Sequence, residues 1–225
     1  MENKISKILF NTNFVKRALS AFVIMPVMIT PILLSEYILI PIYLILLSFV
    51  IEEIINIIKR SHYKIFPVIY LIIASISILS FIILLLSQHF KELFILIIFT
   101  IWLFDTFSYL GGSIIKGKKI FPKISQGKTY SGLLTGLISV LIIYYVAKDY
   151  FNIVQLLNYC SIMIIIILSF LGDIIVSLLK RAVKMKDSGN LIPGHGGFLD
   201  RLDSFIFVFF FIGIYFFLVW IKKIY

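Results

Sequence analysis

Charge is scarce in this sequence: Asp, Glu, Lys and Arg make up 14% of 225 residues, where soluble domains carry about 25%. A chain so poor in charge cannot present a solvated surface all round, which excludes an ordinary soluble domain. Acidic residues are scarcer still, 11 against 21 basic ones, so each carboxylate inside an apolar stretch needs a reason. Cysteine occurs once, at Cys160 in an apolar run. That excludes a disulfide within the chain and leaves the compartment undetermined. What is plentiful is hydrophobic, at 61%. Apolar runs near or above the roughly 18 to 20 residues that cross about 30 Å of hydrocarbon recur along the whole length. The expectation is one integral membrane domain over residues 1–225, without a soluble appendage.

Seven spans are expected, at about 18–35, 37–58, 65–87, 93–115, 131–147, 156–179 and 204–221. All are read as helices, because lipid offers no partner to an unpaired backbone group. The fold class is therefore all-α: a polytopic membrane helix bundle of about seven transmembrane helices, with a polar cavity at its cytoplasmic end. Lys16 and Arg17 precede the first span as they would a signal peptide, but no small-residue cleavage site follows. Pro26 and Pro31 kink that span.

The basic residues divide by side. All but Lys91, Lys148, Lys222 and Lys223 fall on one face of this seven-span arrangement, in the N-terminal segment and in the stretches around 59–64, 116–128 and 180–201. Lysine and arginine accumulate in cytoplasmic loops, which puts the N-terminus in the cytoplasm and the C-terminus outside, in a multi-pass cell membrane. The net charge of +10 then belongs to one membrane face, suited to anionic headgroups or a polyanionic soluble substrate. Loops this short exclude nucleic acid as the partner.

Two carboxylates interrupt the spans. Asp105 lies in the fourth and Asp173 in the sixth, where a charge facing lipid costs on the order of 3 kcal/mol. Residues three, four and seven apart share a helix face, so Ser169, Asp173, Ser177 and Lys180 form one polar stripe, and Asp105, Tyr109 and Gly112 another. Both run toward the basic face. Taken singly each group has a plain structural reading: Asp173 an ion pair with Lys180, Asp105 a hydrogen-bonded acid, Asp200 and Asp203 caps of the last helix, "PGHGG" a tight turn, and His195 a loop histidine.

Their arrangement carries more. From 169 to 204 the chain reads "SFLGDIIVSLLKRAVKMKDSGNLIPGHGGFLDRLDS". This resembles the signature region of the phosphatidate cytidylyltransferase, or CDP-diglyceride synthase, family. Ser177, Lys180, Arg181, Lys186, Asp187, Pro193, His195, Gly196, Gly197, Asp200, Arg201 and Asp203 stand at the family's positions, preceded by its Gly-Asp as Gly172-Asp173. A looser resemblance covers "DTFSYLGGSIIKGKKIFPKISQGKTYSG", residues 105–132, through Asp105, Thr106, Tyr109, Pro122, Lys123, Ser125, Lys128 and Thr129. Phe107 departs from the family's usual glycine there, and Tyr130-Ser131 from its Trp-Glu.

The resemblance implies transfer of CMP from CTP to phosphatidic acid, with CTP, phosphatidic acid and the bilayer as partners and magnesium as cofactor. One metal or a pair, and a monomer or a homodimer, are both left open. Two anionic reactants must be brought together, which calls for divalent metal and basic side chains. The implied catalytic set is Asp173, Lys180, Arg181, Lys186, Asp187, His195, Asp200, Arg201 and Asp203, with Asp173, Asp200 and Asp203 as metal ligands and Asp187 and Asp105 behind them. The basic members would neutralise phosphate, and His195 would donate to a phosphate oxygen. Gly194, Gly196 and Gly197 would let backbone N–H groups approach phosphate. Asp105, Tyr109, Lys123, Ser125, Lys128, Thr129 and Ser177 complete the substrate set. Two alternatives stand beside this one: a CTP-dependent lipid or polyprenol kinase, which would release CDP, and a transporter, against which the absence of an internal repeat counts.

Overall fold

The computed structural model describes residues 36–86, 91–148, 157–189 and 196–224. The expected span at 18–35 and the segment holding Pro193, Gly194 and His195 lie outside the described residues. Six helices are seen: α1 (Glu36–Arg60), α2 (Ile65–Leu86), α3 (Lys91–Ile115), α4 (Tyr130–Ala147), α5 (Tyr159–Ala182) and α6 (Leu199–Ile224). Each overlaps an expected span. The last five contain stretches long and apolar enough to cross a membrane, as in a polytopic membrane protein. α6 begins at Leu199 rather than near 204, so Asp200, Arg201 and Asp203 belong to its first turns.

One element departs from the all-α expectation. Between α3 and α4 the chain forms an antiparallel hairpin, β1 (Lys119–Phe121) and β2 (Ser125–Thr129), with Lys119 opposite Thr129, Phe121 opposite Ser125 and a bulge between. Lysines and a glycine mask the alternation that marks a strand, so period-2 patterning gives no sign of it. Thr129 ends the hairpin and caps α4, its hydroxyl accepting from Gly132 N–H at 3.1 Å.

α6 touches α1, α2, α3 and α5, and α4 packs along α3. Small residues allow the closest seams. A Cβ at Gly136 of α4 would lie 2.9 Å from the Phe104 carbonyl oxygen, and one at Gly132 would lie 2.5 Å from that of Ser108, the close backbone approach that small residues give membrane helices. At the join of α2, α3 and α6, Phe81 meets both Phe94 and Phe209 edge-on, while Phe94 and Phe209 lie tilted against each other.

Two contacts gather the connecting segments at one end of the bundle. Arg60 at the end of α1 reaches Met185 Sδ at 3.7 Å, and Arg181 at the end of α5 donates through Nε to the Ile124 carbonyl in the hairpin turn at 3.1 Å. Past α5, the Lys184 and Met185 N–H groups return to the Arg181 and Lys180 carbonyls, with Lys184 at φ 57°. This Schellman closure turns the chain toward the signature loop.

Candidate active site

The site is built on the α5–α6 seam. At Gly172 a Cβ would stand 2.6 Å from the Asp203 carbonyl oxygen and 2.8 Å from Phe207 Cβ. A glycine is what lets the two helices meet here. Their approach brings Asp173 of α5 and Asp203 of α6 within electrostatic reach of each other and of Asp105 on α3. Lys128 of β2 supplies the cation, its Nζ 2.7 Å from Asp173 Oδ2. The same ammonium donates to the Phe170 carbonyl at 3.3 Å and lies 4.3 Å from the centre of that ring. Ser177, one turn beyond Asp173, donates to Asp173 Oδ1 at 3.5 Å. Asp105 is exposed and the Asp173 side chain is 33% exposed, so the cluster opens outward.

Among the described residues three carboxylates gather round one lysine, a crowding of acidic groups between helices that a further cation would relieve. Two buried hydroxyls add to it. Tyr70 Oη, near enough to Asp203 to feel its charge, and Ser169 Oγ, one turn before Asp173, have no hydrogen-bond partner among the described residues. Carboxylates with unpaired hydroxyls suit a hard divalent ion and its bound waters. Among the described residues no group of three His, Cys, Asp or Glu side chains is disposed to hold a metal unaided. Magnesium does not require one, because one or two carboxylates suffice when substrate phosphates complete the shell.

Asp200 has a different neighbourhood from Asp173 and Asp203. Its Oδ1 receives Lys180 Nζ at 2.5 Å, with the two side chains only 9% and 12% exposed. Its Oδ2 accepts from Ser188 N–H at 2.8 Å and Gly197 N–H at 3.1 Å. Of the expected pairing of Asp173 with Lys180, each partner has therefore found another. Gly196 beside this pair sits at φ 82°, and a Cβ there would meet Asp200 Oδ2 at 2.7 Å and Asp187 Cβ at 2.8 Å. Glycine is required at 196 on both counts.

The remaining expected residues scatter around these two clusters. Arg181 spends its donors on the Ile124 and Met185 carbonyls, joining hairpin to loop. Lys123, Lys186, Asp187 and Tyr109 are exposed at this end. Ser125 opens β2, Arg201 lies in the first turn of α6, and Thr129 is occupied as the α4 cap. One residue escaped the sequence reading altogether. Glu53, in the middle of an apolar run of α1, is 3% exposed and accepts from Ser188 Oγ at 2.6 Å, Phe198 N–H at 2.8 Å and Leu199 N–H at 2.9 Å. Its signal was available, since Glu52-Glu53 breaks a hydrophobic stretch as Asp105 does.

Comparison with known proteins follows the same residues. The cytidylyltransferase family model matches residues 63–219, which include both clusters apart from Glu53. A phosphatidate cytidylyltransferase of Rickettsia conorii is 34% identical over 205 residues, covering 87% of each chain. That of Rickettsia typhi is 40% identical over 161 residues, 65% of this chain and 71% of its own, and that of Staphylococcus saprophyticus is 43% identical over 110 residues, 48% and 42%. The chain belongs to the cytidylyltransferase family.

Proposed function

We propose that the protein transfers CMP from CTP to phosphatidic acid, releasing pyrophosphate and leaving CDP-diacylglycerol in the bilayer. The observation that carries this reading is the juxtaposition of Asp173, Asp203 and Lys128 across the Gly172 seam, at the bundle end where the lysine-rich hairpin gathers. It joins an acidic site for metal-bound triphosphate to a basic approach for a lipid phosphate.

An oxygen of the lipid phosphate attacks the α-phosphorus of CTP in line. A new P–O bond forms, the bond from the α-phosphorus to the bridging oxygen breaks, and pyrophosphate leaves with that oxygen. The phosphatidate monoester is already ionised near neutral pH, so no general base is needed. Bound magnesium would supply charge neutralisation at the triphosphate. Asp173 and Asp203 are the residues that would hold it, with Asp105 at the open side. Asp200, grouped with them on sequence, has its oxygens engaged by Lys180 and two amides; its proposed part is to orient Lys180 for phosphate. Lys128 and the exposed Lys123 and Lys186 offset the charge of the incoming lipid, while Arg181 serves by tying the hairpin to α5.

The test is a mixed-micelle assay of the purified chain with phosphatidic acid and CTP labelled at the α-phosphate. Label is expected in the lipid fraction with magnesium and not after chelation. Label found in free CDP would replace this reading with a CTP-dependent kinase, and intact CTP with a folded sample would favour transport.

A further inference from the structure

We propose that Glu53 is a positioning residue for the reaction: its carboxylate pins together the two sides of the signature loop, and through them holds the Lys180–Asp200 pair in place. The inference rests on the cytidylyl-transfer reading. Glu53 lies outside residues 63–219 matched by the family model and outside both motifs, on a helix that otherwise contributes none of the expected site residues.

The contacts are specific. Oε2 accepts from Ser188 Oγ and from Leu199 N–H, while Oε1 accepts from Phe198 N–H. Ser188 immediately follows Lys186-Asp187, and Phe198-Leu199 immediately precede Asp200. One side chain therefore grips the loop where it leaves the α5 end and where it enters α6. Ser188 is held twice, by its hydroxyl to Glu53 and by its N–H to Asp200, which links the pin directly to the Lys180–Asp200 pair.

Burial of an anion with no cation partner among the described residues requires strong donors. Glu53 takes two of its three donors from the N-terminal end of α6, where N–H groups have no intrahelical acceptor and the helix dipole favours negative charge. The glycines of the loop make room for it. A Cβ at Gly189 would stand 2.6 Å from Glu53 Oε1, and one at Gly197 would overlap both Glu53 and Ser188. These two glycines answer to a glutamate on another helix as much as to any phosphate. Phe49, one turn earlier on α1, meets Phe198 with ring centres 6.1 Å apart, and Arg60 farther along reaches Met185. A single face of α1 thus runs along the loop with Glu53 at its centre.

The test compares the full-length wild type with Glu53→Gln, Ser188→Ala and the double variant in mixed micelles, alongside amide hydrogen exchange of the 196–202 segment. Glutamine is isosteric but turns an acceptor into an amide facing donors. It is expected to lower kcat at least tenfold with KM for phosphatidic acid within about twofold and the folded fraction unchanged. Exchange at Phe198 and Leu199 should quicken, and adding Ser188→Ala should cost less than its effect alone. Wild-type kcat in Glu53→Gln, a loss that only follows the folded fraction, or effects that multiply independently would overturn the proposal. If the wild type transferred no CMP, the function reading alone would fail; unchanged exchange in Glu53→Gln would then overturn the pin separately.

Discussion

Asp173, Asp200 and Asp203 are not equivalent, and their neighbours decide how. Asp173 and Asp203 share a cluster in which carboxylates outnumber the lysine beside them, whereas Asp200 is held by Lys180 and two amides. Asp173→Asn and Asp203→Asn are therefore expected to lower turnover by more than about a hundredfold, while Asp200→Asn stays within the roughly 10- to 100-fold loss of a supporting partner. Steady-state rates at saturating CTP, measured on protein eluting as a single folded species, check the difference. Near-normal rates in both Asp173→Asn and Asp203→Asn would remove them as metal ligands. Lys180→Met has a stability consequence as well. Stripping one partner from a buried pair costs about 3–5 kcal/mol, so its melting in detergent should drop, and Lys180→Met with Asp200→Asn together should recover part of the loss.

At the scale of the helix, Gly172 sets the distance between α5 and α6 and hence between Asp173 and Asp203. Alanine at 172 would place its methyl against the Asp203 carbonyl and Phe207, forcing a shift that costs about 1–3 kcal/mol. Gly172→Ala should then lower kcat while raising the magnesium concentration needed for half-maximal rate. Loss of melting temperature with an unchanged magnesium requirement would mean that the seam serves packing alone. The hairpin is the element the sequence hid: Lys116 to Lys128 reads as a basic loop, because its strands are short, exposed and lysine-rich. Only pairing between Lys119 and Thr129 and between Phe121 and Ser125 reveals the strands, and with them how Lys128 is carried to Asp173.

The described helices form an alternating bundle whose connecting segments at 61–64, 116–129 and 183–189 meet at one end. Cysteine at 119 and at 148, in a Cys160→Ser background, should label from opposite faces of sealed vesicles, since α4 separates those positions. Labelling of both from one face would break the alternation. Much of this was legible in the chain itself: hydropathy located each described helix to within a few residues, apart from the earlier start of α6, because lipid enforces helix over any apolar run of that length. The resemblance to the family's signature region grouped Asp173, Lys180, Asp200 and Asp203, which the fold divides between two neighbouring clusters beside the α5–α6 seam. Which acid faces which base was not legible, since Lys128 meets Asp173, and Glu53 meets Ser188, across 45 and 135 positions of chain. Those partnerships depend on how closely α5 and α6 approach and on which face α1 turns inward. Sequence alone thus determined the class and the positions of the described helices, through composition and local periodicity, while the family resemblance supplied the list of candidate reactive groups; their pairing was decided by helix packing, which brings distant residues to within a hydrogen bond.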